Sequence, residues 1–176
     1  MARMKTTLVA LALFASAAAT LTLGAQSVTK PFEPQPILQG GQVIPLFPPA
    51  SRYLKAEKVG EAEQLNMMKG VPGRIQSIVN IHNPSIEVHV VDPSINTGTV
   101  VILAPGGGHD TLNVGTEGAD FVSFFYQYGV NTVILRNRLR SSGYNPQTDA
   151  VYDAQQAIRL VRSRRSEEHT SELQSP

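Results

Sequence analysis

Five consecutive residues, Pro105-Gly106-Gly107-Gly108-His109, follow directly on the apolar run Thr99-Val100-Val101-Ile102-Leu103. Glycines placed straight after a strand let the backbone turn sharply and present N–H groups that no side chain shields. Two such donors aimed at a developing oxyanion stabilise acyl-transfer transition states, at about 2.7–4 kcal/mol per donor. Phosphate binding is the competing chemistry for a glycine-rich turn, and spacing excludes it. A G-x-G-x-x-G pattern from Gly106 needs glycine at Thr111, and the P-loop lysine is missing. A plain tight turn stays open as the alternative to an oxyanion hole.

An oxyanion hole serves a nucleophile, and none is legible. The chain has no Gly-x-Ser-x-Gly. Ser123 falls on an expected helix, Ser141 and Ser142 fall in a polar loop, and none follows a strand in an elbow context. His82, His89 and His109 have no ligand-like spacing with carboxylates, so neither a metal nor another cofactor is expected. With no cysteine there is no disulfide framework. The net charge is +1, and it stays +1 over residues 26–164, so neither nucleic acid nor an anionic membrane is an expected partner.

The elements that must position the loop are read from periodicity. Residues 74–81 and 86–91 read as two strands joined by His82-Asn83-Pro84-Ser85 in a hairpin-like turn. In the second, Ile86, Val88 and Val90 alternate with Glu87 and His89, the pattern of a half-exposed antiparallel strand. Residues 99–103 read as a parallel strand buried on both faces. Residues 116–128 follow as a helix, with Phe121, Phe124, Phe125 and Tyr128 on one apolar stripe and Gly129 as its stop. Residues 131–135 form another buried strand. A second helix begins near Thr148, with Val151, Ala154, Ile158 and Val161 as its buried face. Its early Asp149 and Asp153 and late Arg159, Arg162 and Arg164 match the helix dipole. A hairpin followed by β-α-β-α argues for an α/β sheet with parallel central strands.

Four segments result. Residues 1–25 have the parts of a secretory signal: Arg3 and Lys5, an apolar run too short to span a bilayer, and Leu23-Gly24-Ala25 before the cut. An exported protein, secreted or periplasmic, is expected. Residues 26–73 are an arm and linker. The arm holds half of the 12 prolines before Ser51 and should be extended and irregular, laid over the main domain or serving as a polyproline ligand. The linker, residues 52–68, reads as a weak helix or loop. Residues 74–164 are the partial α/β domain. Residues 165–176 lose the helical pattern and resemble one reading frame through a sequencing-library adapter, with a polar tail as the alternative, so they are left out of fold reasoning.

A wider set of motifs carries a resemblance. Asn83-Pro84-Ser85-Ile86-Glu87-Val88, the run from Asn96 through the glycine loop, Glu117-Gly118, Val133-Ile134-Leu135-Arg136-Asn137-Arg138-Leu139 and Asp153-Ala154-Gln155-Gln156-Ala157-Ile158-Arg159 occur in order. Together they resemble the secreted acetylxylan- and feruloyl-esterase-like carboxylesterase branch of the α/β-hydrolases. The resemblance implies that residues 74–164 are the N-terminal half of that fold, stopping before the nucleophile strand. It places Gly107 and Gly108 as oxyanion donors and Gly106 as the turn glycine. It makes Arg138 and Asp153 a structural ion pair. His109 stands where the family has an aromatic residue, either at the mouth of the acyl site, where it would touch substrate, or as a solvated loop histidine. Asn137 stands where the family has tyrosine. The substrate implied is a small ester or an acylated carbohydrate, attacked by a serine that lies outside these residues. The chain by itself is then expected to be inactive and marginally stable, with residues 99–103 as an open edge. A non-catalytic, hydrolase-like binding protein is the second reading.

Overall fold

The computed structural model describes residues 30–172, with side chains through residue 164. The expected signal segment, residues 1–25, lies outside the described residues. Four strands form one mixed sheet: β1 (Gln42–Pro45), β4 (Ser85–His89), β6 (Asn131–Arg136) and β5 (Val100–Leu103), in the spatial order β1-β4-β6-β5. β1 with β4 and β4 with β6 are antiparallel, and β6 with β5 is parallel. A second, two-stranded antiparallel ribbon joins β2 (Gln64–Met67) to β3 (Ile75–Val79). The helices are α1 (Asp120–Tyr126) and α2 (Val151–Glu172), each entered through a wide i→i+5 turn, Gly115–Ala119 and Pro146–Ala150. The β5-α1-β6-α2 order is the expected β-α-β-α unit, but the central strands are not parallel as expected: β4 and β6 run antiparallel, and the one parallel pair joins β6 to the edge strand β5. Among the described residues no helix is long and apolar enough to cross a membrane.

β6 explains why there are two cores. Its Val133 and Leu135 point to one face and Ile134 to the other, so a continuous apolar run is buried on both sides. On one face Ile86, Val133 and Leu135 pack with Leu46, Phe47 and Leu54 of the arm and linker and with Ala157 of α2. On the other, Ile134 packs with Ile75, Ile78 and Ile81, with Val114 and with Val122 of α1. The proline-rich arm is thus partly ordered into β1, and the linker contributes β2 rather than a helix.

Several expectations are corrected. Residues 74–81 and 86–91 do not form a hairpin. β4 sits between β1 and β6, so both its edges are taken, and β3 pairs with β2 and bridges to Leu112 instead. The turn from one sheet to the other passes through Asn80, at φ +60°, and buried Ile81, His82 and Asn83. β4 is not half-exposed either. Glu87 alternates as expected, yet the arm covers it completely. β5 is only half-buried rather than buried on both faces, because it is the edge strand.

The helices are rotated from their expected faces. In α1 the aromatic stripe is outside: Phe124 is 50% exposed and Tyr128, past the helix end, 62%. The packed side carries Gly115, Gly118 and Val122. A Cβ at Gly118 would stand 3.1 Å from Ile134 Cγ2, and one at Gly115 would stand 2.6 Å from the Ile75 carbonyl oxygen. Small residues let the turn and helix press onto the sheet, which a Phe face cannot do. In α2, Val151 and Ile158 of the expected face are exposed and Asp153 and Ala157 are buried, while Ala154 and Val161 pack against the core as expected. Asp153 is drawn inward by Arg138, and that pairing fixes the helix rotation. α2 also runs past Arg164 as backbone helix to Glu172, since residues 165–172 contain neither glycine nor proline to stop it.

Candidate active site

The glycine loop leaves β5 at Ala104 and runs along the rim of a cleft of about 390 Å³. The opposite walls are Leu135 of β6, Asn137 and Leu139 just after it, and Pro146, Ala150 and Val151 at the start of α2. That start is well defined locally. Asn145 Oδ1 accepts the Gln147 N–H at 2.9 Å, Pro146 takes the first position, and Asp149 accepts the Asn145 N–H at 2.8 Å.

Within the loop, φ is +135° at Gly107, +64° at Gly108 and +66° at His109. A Cβ at Gly107 would lie 2.2 Å from the Thr111 carbonyl oxygen, so that position admits only glycine, whereas Gly108 faces open space. His109 holds a left-handed conformation that costs an L-residue roughly 1–2 kcal/mol. The Arg140 N–H, donating to the His109 carbonyl at 2.8 Å, helps hold it there.

The hydrogen bonds divide the loop. Gly106 is used on both sides: its N–H donates to Glu117 Oε2 at 2.7 Å and its carbonyl accepts the Asn113 N–H at 2.9 Å. The Gly107 carbonyl accepts N–H groups from Asp110 and Thr111. The Gly107 and Gly108 N–H groups have no hydrogen-bond acceptor among the described residues. Those are the two groups that the resemblance singles out as donors. Gly106, which the resemblance makes the turn glycine, is not among the glycines at positive φ, and its own donor is spent on Glu117.

Charge around the loop is arranged by two exposed carboxylates. The Gly106 N–H, seconded by the Asn113 amide, holds the Glu117 carboxyl below its ordinary range. Arg140 does the same to Asp110, and its guanidinium also donates to the Gly108 carbonyl at 3.3 Å. His109 lines the cleft from an exposed position and makes no side-chain hydrogen bond with a described residue. Asn137 is buried in the cleft wall, its amide donating to the Arg138 carbonyl.

Arg138 and Asp153 are the structural pair expected. The buried guanidinium donates to both Asp153 oxygens at 2.7–3.1 Å, and the Arg138 N–H adds a bond of 2.9 Å. Another Arg138 nitrogen ties down the Tyr53 carbonyl. Burial nonetheless holds the Asp153 carboxyl above its ordinary range, against the pull of Arg138.

Two groups escaped the sequence reading. One is Glu117 as the partner of the glycine loop. The other is a buried charge cluster on the opposite side of β4 and β6. Arg136 donates to Glu63 at 3.0 Å, Glu87 at 2.9 Å and the Gln35 carbonyl at 2.6 Å. Glu87 also accepts the N–H groups of Ile37 and Leu38 and lies 2.9 Å from His89 Nε2. An arginine ending the otherwise apolar run Val133-Ile134-Leu135 was the available signal, because a charge in a central strand requires buried partners.

His82 is also buried, far from being a free base. Both acceptors near its Nε2, Asn80 Oδ1 at 2.9 Å and Glu61 Oε2 at 3.3 Å, can only accept, so Nε2 carries the proton. Its Nδ1 then accepts from the Tyr144 hydroxyl at 2.9 Å. Among the described residues no serine hydroxyl bonds to a histidine, and no three His, Cys, Asp or Glu side chains group as metal ligands.

The fold and site define a mixed α/β protein with a cleft under a strained glycine loop. No family model and no curated protein matches the chain.

Proposed function

We propose that residues 74–164 are the oxyanion-hole half of an exported α/β-hydrolase-like serine esterase acting on short acyl or acetyl esters, including those on carbohydrates. The observation that carries this reading is the pair of N–H groups on Gly107 and Gly108, unpartnered among the described residues and at the lip of a mostly apolar cleft. Such donors gain most where water is excluded and charge develops in the transition state. The β1-β4-β6-β5 order with one parallel pair supports it, as does the outer edge of β5, unpaired among the described residues, where a nucleophile-bearing strand would add. Exposed Val151 and Ile158 on α2 fit the same extension of the sheet. In this reading the attacking serine, its acid and its histidine come from outside the described residues. Arg3, Lys5 and the apolar run after them support export.

The test is to sequence the source DNA through codon 164 and several hundred bases beyond, then assay the whole gene product with p-nitrophenyl acetate. The expected result is a strand followed by Gly-x-Ser-x-Gly, and turnover lost when that serine becomes alanine. The 176-residue chain alone should turn over nothing. A continuation without a serine elbow, and no ester turnover, would replace the esterase with a hydrolase-like binding protein.

A further inference from the structure

The glycine loop is held by a closed ring of four hydrogen bonds. Asn113 N–H donates to the Gly106 carbonyl at 2.9 Å, and Gly106 N–H to Glu117 Oε2 at 2.7 Å. Asn113 Nδ2 donates to Glu117 Oε1 at 3.2 Å, and Glu117 N–H returns to the Asn113 carbonyl at 3.1 Å. The ring is anchored to the core one residue away, where Leu112 exchanges both backbone bonds with Ile78 at 2.9 Å.

We propose that Glu117 is a positioning residue: by taking the Gly106 N–H it fixes the Pro105–Gly106 peptide and leaves Gly107 and Gly108 as the donors offered to an anionic oxygen. The proposal rests on the oxyanion-hole reading for its functional meaning, but its structural half stands on the ring alone. Gly106 suits the role because a Cβ there would stand 2.9 Å from Glu117 Oε2, so any other residue pushes the carboxylate back. A carboxylate beside a loop that receives negative charge works against that charge. Its position is therefore better explained by what it orders than by any contact with substrate. Ordering matters because donors that need no reorganisation during the reaction contribute most.

The experiment uses the full chain labelled with ¹⁵N, comparing wild type with Glu117→Gln and Glu117→Ala by amide spectra and hydrogen exchange. A hydrogen bond to a charged acceptor is roughly twice as strong as a neutral one. The Gly106 amide should therefore exchange about tenfold faster in E117A, with the Gly107 and Gly108 resonances broadened or shifted. E117Q keeps an acceptor oxygen and should recover part of that protection. If E117A fails to fold, E117Q carries the test, with an upfield shift of the Gly106 proton while amides of β4 and β6 stay in place. Unchanged Gly106, Gly107 and Gly108 amides in the folded variants would overturn the proposal. In the whole gene product, E117Q should lower kcat with little change in KM. Failure of that product to turn over any ester counts against the esterase reading, whereas the Gly106 amide decides the role of Glu117.

Discussion

Replacing Arg136 by methionine is the sharpest test of how this fold is held together. Methionine fills the space of the arginine stem but removes the cation shared by buried Glu63 and Glu87. Glu87 keeps the Ile37 and Leu38 N–H groups and His89, whereas Glu63 has no other ion-pair partner among the described residues, and its Oε1 is already buried without a hydrogen bond there. Stranding a buried charge in this way costs about 3–5 kcal/mol, a large share of the roughly 5–15 kcal/mol that keeps a domain folded. At a urea slope of about 2 kcal/mol/M, the midpoint should fall by about 2 M. Circular dichroism at pH 7 reads it. Adding Glu63→Gln to the arginine variant should recover more than about 1 kcal/mol, because it removes one stranded charge. The pH dependence has a defined sign. Burial holds the Glu63 carboxyl above its ordinary 4.5, so the folded chain takes up that proton first, and the penalty shrinks as pH falls from 7 toward 4.5. Glu87 works oppositely. Burial raises it, but the bonds from His89, Ile37, Leu38 and Arg136 together hold it below 4.5. Its contribution is present above pH 4.5 and lost as pH falls through its folded value. A loss under about 1 kcal/mol, or no rescue by Glu63→Gln, would refute the account of a stranded charge.

Three further outcomes are expected. Gly107→Ala should cost more than Gly108→Ala in thermal unfolding, since both sit at positive φ but only Gly107 would drive its Cβ into the Thr111 carbonyl; equal losses would contradict the loop geometry. Tyr144→Phe leaves buried His82 Nδ1 without its donor and should cost about 1–3 kcal/mol by urea titration. Burial holds His82 below its ordinary 6.5, so wild-type stability should be full above pH 6.5 and fall as pH drops through the folded value; a flat profile between pH 7.5 and 5 would count against that burial. Phe124→Ser on the outer stripe of α1 should move stability by no more than about 0.5 kcal/mol, where a core phenylalanine would cost several times that.

What the sequence determined by itself was local. The β-branched run of residues 99–103 made a strand, and consecutive glycines after it made a loop of positive φ. Asn145, Pro146 and Asp149 set the start of α2, and the alternation of strands and helices from β5 to α2 followed. Each depends on residues within one turn or one strand. The tertiary structure decided what those elements meet. Glu87 looked solvent-facing because alternation reports which side a residue points to, not what lies there. Its cover comes from Ile37, 50 positions away, and Arg136 is tied to Gln35, 101 positions away. β3 left β4 because both edges of β4 were already occupied by strands from distant parts of the chain. The aromatic stripe of α1 lost the core to Gly115 and Gly118 of its entry turn because contact distance, rather than hydrophobicity, limited how closely that turn could approach the Ile75 backbone and Ile134. Periodicity finds an apolar face, but only the packed chain chooses which face has a partner.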